Sequence, residues 1–110
     1  MQHRELPSIT HLHFLVLGIL LSGETSGRAI REVIASYGHR RSAPAFYQMM
    51  ARMERDGIVE GSYEQIMVRD QAVTERRYRI TPYGSKQWKK ACEFYETIKI
   101  AATRERWSNA

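Results

Sequence analysis

The sequence predicts a mainly α, α+β domain: three helices, a two-stranded hairpin and one long final helix. Three observations carry that prediction. Before Gly57 the apolar residues fall at helical spacing in three separate segments. After Gly57 strand formers dominate and the period drops to two. From Thr81 the helical spacing returns and continues to about Arg106.

Residues 1–9 are expected as a loose arm containing Pro7. Ser8 or Thr10 caps a first helix reaching about Leu21. Leu12, Leu15, Val16, Ile19 and Leu20 mark one side of it, and Phe14, Leu17 and Leu21 fill the other. A helix apolar nearly all round belongs at the centre of a core. "SGETSG" (22–27) is a loop, with Ser26 as the cap of a second helix. Ile30, Val33, Ile34 and Tyr37 form that helix's apolar stripe, and Gly38 is its left-handed stop. Ser42 caps a third helix that buries Phe46, Met49, Met50 and Met53. Its far face carries Ala45, Gln48, Ala51, Arg52 and Arg55.

"IVEGSYEQIMV" and "VTERRYRIT" are strands, with "RDQA" (69–72) as the turn between them. Tyr78 and Ile80 share one face, Arg77 and Arg79 the other. Thr81 and Pro82 open the last helix as N-cap and first residue. Gly84, Trp88, Ala91, Tyr95, Ile98 and Ala102 follow heptad steps along it, a seam that pairs with itself or with helix one. Two short helices joined by "GHRR", then a hairpin and a long helix, make a winged helix-turn-helix over 10–82, a C-terminal dimerisation helix over 83–106 and a tail over 107–110.

The chain has 110 residues, enough for one domain, and carries a net charge of +5. Arginine supplies most of its 17 basic residues, and its planar fork suits phosphates and guanine edges. Charge alone fits a nucleic-acid partner or merely a basic surface. The single cysteine, Cys92, excludes an internal disulfide and fits a reducing compartment. The apolar run Phe14–Leu21 is too short to span a bilayer, and the start lacks a secretory pattern. A cytoplasmic protein is expected. No nucleophile–base pair, carboxylate dyad, phosphate loop or metal-ligand spacing is present, so neither an enzyme nor a cofactor is expected. The candidate ligands His3, His11, His13, His39 and Cys92 lack the spacing of a metal site.

"LGILLSGETSGRAI" (17–30), "FYQMMARMERDGIV" (46–59) and "RRYRITPYG" (76–84) occur in this order. Through them the chain resembles the PadR family of bacterial transcriptional regulators, from about Leu12 to Ile100. The first segment is similar to the family's first helix and glycine loop, the second to its aromatic-Tyr recognition helix, and the third to the end of its wing. Two departures stand out. Gly27 is followed by Arg28 where the family usually has tyrosine, and Met49, Met50 and Met53 occupy positions often held by leucine. The resemblance implies the short-tailed branch, in which one C-terminal helix makes the dimer. It also implies a phosphate contact for the Tyr47 hydroxyl.

The expected DNA-binding set is Arg40, Arg41, Ser42, Ala43, Ala45, Tyr47, Gln48, Arg52, Arg76 and Arg77. Alanines permit close approach and methyl contact with thymine, and Gln48 can pair with adenine through two hydrogen bonds. The flanking arginines would hold the phosphate backbone. Against this stands an ordinary solvated helix with surface ion pairs worth little. The dimerisation set is Trp88, Ala91, Tyr95, Ile98 and Ala102. Trp88 and Tyr95, one heptad apart, would also suit a small aromatic effector, although core filling is the plainer role for both rings. The expected function is a sequence-specific DNA-binding regulator, a repressor acting as a homodimer on a palindromic operator. The alternative is a winged-helix module that binds protein and not DNA.

Overall fold

Four hydroxyls start the four helices. Thr10 precedes α1 (His11–Leu20), Ser26 precedes α2 (Gly27–Ser36), Ser42 precedes α3 (Ala43–Arg55) and Thr81 precedes α4 (Pro82–Thr103). Each side chain accepts the backbone N–H three residues on, one of the donors that a helix start otherwise leaves unpaired. At α1 the box is reciprocal: His13 N donates to Thr10 Oγ1 at 3.1 Å, and Thr10 N donates to His13 Nδ1 at 3.5 Å. The computed structural model describes residues 6–104. The expected arm therefore lies outside the described residues as far as residue 5, as do the final turn expected at 105–106 and the 107–110 tail. The end of the arm is docked, not loose. Ile9 is buried, and Ser8 Oγ donates to Gln87 Oε1 at 3.2 Å.

Three strands complete the domain: β1 (Thr25–Ser26), β2 (Val59–Val68) and β3 (Gln71–Ile80). They form an antiparallel sheet in the order β1-β3-β2. The sequence did not predict β1, which lies inside "SGETSG" and pairs Thr25 with Tyr78 and Ser26 with Arg77. The hairpin turn is tighter than the expected four residues. Arg69 and Asp70, with φ of 51° and 64°, make the turn alone, and Gln71 pairs with Val68. Two left-handed residues match the twist of the flanking strands.

The core gathers Val16, Leu17 and Leu20 from α1, Ile30 and Ile34 from α2, and Phe46, Met49, Met50 and Met53 from α3. Val59, Tyr78 and Ala91 close it from the sheet and α4. Truncating a methionine this buried to alanine costs about 2–5 kcal/mol. Tyr37, expected in the α2 stripe, is instead 73% exposed, because it follows the last turn of α2 and faces solvent.

The long α4 leans on α1 through aromatic rings. Phe14 stacks on Trp88 at 5.3 Å and meets Tyr95 edge-on at 5.9 Å, while His11 stacks on Tyr95 at 5.7 Å. Tyr95 Oη and His11 Nδ1 lie 3.1 Å apart. The first half of the heptad seam thus pairs with helix one of the same chain. Ile98 is half-buried, and Ile100 and Ala102 are exposed.

Candidate nucleic-acid interface

The helix-turn-helix pair is α2 and α3, and the stripe of Phe46, Met49, Met50 and Met53 turns the far face of α3 outward. Ser42, Gln48 and Arg52 are exposed on it, with Ala43 and Ala45 half-buried. Pro44, exposed near the N-terminus of the helix, was not among the expected contact residues. Small side chains there leave the backbone of the first turn open to close approach. Arg52 and Arg55 stand in the last turn, where cations also complement the helix dipole.

Tyr47 is half-buried, edge-on to Phe46 at 5.0 Å, and its ring lies across Gly27. A Cβ at Gly27 would come within 2.8 Å of the Tyr47 hydroxyl, so glycine is what lets the ring tip reach the N-terminus of α2. That end of a helix attracts phosphate.

The loop before α3 is arginine-rich. Arg41 Nε donates to His39 Nε2 at 3.1 Å, and Arg31 Nη2 donates to the Arg41 carbonyl at 3.2 Å. Arg40 is exposed. Arg31 was missed in the sequence, where its place on α2 gave no sign that it would reach across to the start of α3.

The wing arginines are not open cations. Arg76 lies 2.5 Å from Glu54 and over the rings of Tyr63 and Tyr78, at 4.4 and 5.3 Å. Burial works against its charge, but the hydrogen bond with Tyr78 and the nearby Glu54 outweigh it and raise its pKa. Gly61 makes room for this pair, since a Cβ there would overlap the Glu54 carboxylate. Arg77 lies 3.1 Å from Glu24, 3.0 Å from Glu64 and 3.2 Å from Glu75. Its pKa is raised, first by the hydrogen bond to Glu24. Arg79 pairs with Glu60 at 2.7 Å. Burial raises the pKa of the Tyr78 phenol. At the wing end Met67, Val68 and Val73 are exposed beside Arg69.

The described histidines have other partners: His11 has Tyr95, His13 has Thr10, and His39 has Arg41. His3 lies outside the described residues. Burial holds the His13 pKa below the ordinary imidazole value; Asp56 opposes this, and Arg41 and Arg52 reinforce it. No described helix is long and apolar enough to cross a membrane.

Fold and surface together define a winged-helix domain with an open outer face on its third helix and arginines at the entrance to that helix. No family model and no curated protein matches the chain. Solved structures do. It is similar to a PadR family transcription regulator from Clostridium difficile, at 16% identity and TM-score 0.71, covering 86% of this chain and 97% of that one. It is similar to a transcriptional regulator from Clostridium thermocellum, at 25% identity and TM-score 0.67, covering 86% and 88%. It is also similar to RosR from H. salinarum, at 21% identity and TM-score 0.66, covering 93% and 89%. The chain has the PadR-type winged-helix fold.

Proposed function

We propose that this chain is a sequence-specific DNA-binding transcriptional regulator, a repressor that holds a palindromic operator as a homodimer. The observation that carries the reading is the open N-terminal half of α3, from Ser42 to Gln48, with Arg40 and Arg41 immediately before it. A helix presented this way enters a major groove with its first turns against the base edges. Ala43, Ala45 and Gln48 read bases, and Tyr47, Arg40, Arg41 and Arg52 hold phosphates. Arg76 and Arg77 reach phosphate only by exchanging a carboxylate for it. The binding needs no cofactor and no catalytic group, and the single Cys92 fits a cytoplasmic setting.

Dimerisation is supported by what the single chain leaves open. Ile98, Ile100 and Ala102 continue α4 past the aromatic joint, and Leu12, Leu15 and Ile19 of α1 are only half-buried. A second copy would cover both. We read Trp88 and Tyr95 as that joint, and an aromatic effector entering there would have to part Phe14 from Trp88.

A protein-binding module remains the second reading, favoured by the ion-paired wing and its apolar tip at Met67, Val68 and Val73. One titration separates the two. Anisotropy of labelled duplexes, selected from random sequence, should show binding that weakens steeply with salt. Gln48→Ala should cost about 1–3 kcal/mol on the selected site and much less on random duplex. Absence of duplex binding at low salt leaves only the protein-binding reading.

A further inference from the structure

A concave basic surface lies beside the start of α3. Arg28, Arg31, Glu32 and Ala35 share one face of α2, being spaced at helical steps. Arg40 and Arg41 join them from the preceding loop, and the six line a depression of about 260 Å³. A water molecule occupies ~30 Å³ in the liquid, so a phosphate group with its nearest waters fits. Four arginines and one glutamate line it, and Glu32 makes no ion pair among the described residues.

Arg31 supplies a second, independent observation. Its Nη2 is fixed on the Arg41 carbonyl, while its Nε is buried with no hydrogen-bond partner among the described residues. A buried cationic N–H without an acceptor is unfavourable. An oxyanion in the depression relieves it after a small turn of the guanidinium. Arg28 is 71% exposed and comes no nearer than 3.9 Å to Glu75, so it is free to close over such an anion.

We infer that this depression is a seat for a phosphate group, anchored by Arg31, closed by Arg28 and Arg40, and weakened by Glu32. It deepens the DNA-binding reading and rests on it for one of two phosphate sources. The first is the duplex backbone beside the recognition helix. The second is a free phosphorylated ligand, which would compete with that backbone for the same guanidiniums.

The test follows the arginine Nε–H resonances of the full ¹⁵N-labelled chain at fixed ionic strength. Inorganic pyrophosphate is added in one arm and a random duplex in the other. The Arg31 resonance should move in at least one arm, and Glu32→Gln should bind that titrant several-fold more tightly. A gain of affinity cannot come from a damaged fold. Arg28→Ala, which removes no tether, should flatten the salt dependence of duplex binding by about the ~0.9 slope unit of one phosphate. Movement with pyrophosphate, together with displacement of duplex, assigns the seat to free ligands as well; movement with duplex alone assigns it to the backbone. An Arg31 resonance that stays still in both arms, or a Glu32→Gln protein that binds no better than the parent, overturns the inference. A parent that ignores duplex but answers to pyrophosphate sinks the DNA reading and keeps the seat.

Discussion

Gly84→Ala sets two effects of opposite sign against each other. Gly84 is the third residue of α4, and its N–H donates to Thr81 Oγ1 at 2.9 Å. Helix propensity alone predicts that alanine stabilises by about 1 kcal/mol. Packing predicts the reverse. A Cβ at Gly84 would overlap the carbonyl oxygen of Ile58 and lie 2.9 Å from its carbon, so it meets backbone that cannot swing aside. Relief requires α4 to move away from the start of β2. Thr81 would lose its two bonds there, N–H to the Ile58 carbonyl at 3.2 Å and hydroxyl to the Gly57 carbonyl at 2.5 Å. Each is worth about 1 kcal/mol net, and overpacking adds about 1–3 kcal/mol. After subtracting the propensity gain, a loss of about 2–4 kcal/mol remains. For 110 residues each kcal/mol moves Tm by about 4 °C, so the drop should be about 8–16 °C. Circular dichroism melts check it, with Gly18→Ala as the control. A Cβ at Gly18 meets only Trp88 Nε1 at 3.4 Å, so there the propensity gain should survive. A Gly84→Ala protein as stable as its parent would refute the backbone contact that joins the start of β2 to α4.

Two further outcomes follow from the same geometry. His13 has a lowered pKa when folded, so the unfolded chain takes up its proton first as pH falls. Its contribution is complete above the ordinary imidazole range and is lost as the pH falls through and below that range. His13→Gln keeps a capping box without the titration, so its melts should lose less stability than the parent's over that interval, and identical losses would remove His13 from the account. The intact chain should scatter light as a dimer of its 12.8 kDa protomer, with Ile98→Glu shifting it toward monomer, and a monomeric parent at tens of micromolar would end the dimer reading.

What was legible in the sequence was whatever local chemistry decides. The caps at Ser26, Ser42 and Thr81, the α3 stripe and the switch to period two are written in neighbouring residues. Strand β1 was not, because two residues have no period and its partners lie some fifty positions away. One ion pair of the wing fell to a smaller error. A four-residue turn at 69–72 puts Arg79 opposite Ser62, whereas the two-residue turn at Arg69–Asp70 puts it opposite Glu60. Register, and with it the Arg79–Glu60 pair, hung on two residues of turn length, whereas Arg76 finds Glu54 on α3 and Arg77 finds Glu24 before β1 and Glu75 on its own strand. Arg31 was hidden for another reason: its reach to the Arg41 carbonyl depends on how α2 and α3 cross.

The ion pairs of the wing change where the protein's charge can act. Arg76, Arg77 and Arg79 face Glu54, Glu24, Glu64, Glu75 and Glu60, so the base of the wing is close to neutral or acidic in its own field. The arginines of α2, the loop and α3 have no such ring of carboxylates: Arg31, Arg40, Arg41, Arg52 and Arg55 make no ion pair among the described residues, and Arg28 has only the long contact to Glu75. Counterion release follows phosphates neutralised by unpaired cations. A cation already neutralised by its own chain must first give up that partner, which offsets most of the gain. The salt dependence of duplex binding should therefore be set by the α2–α3 side. The wing should then add only shape and its tip residue Arg69, held out on a tight turn at the end of two ten-residue strands.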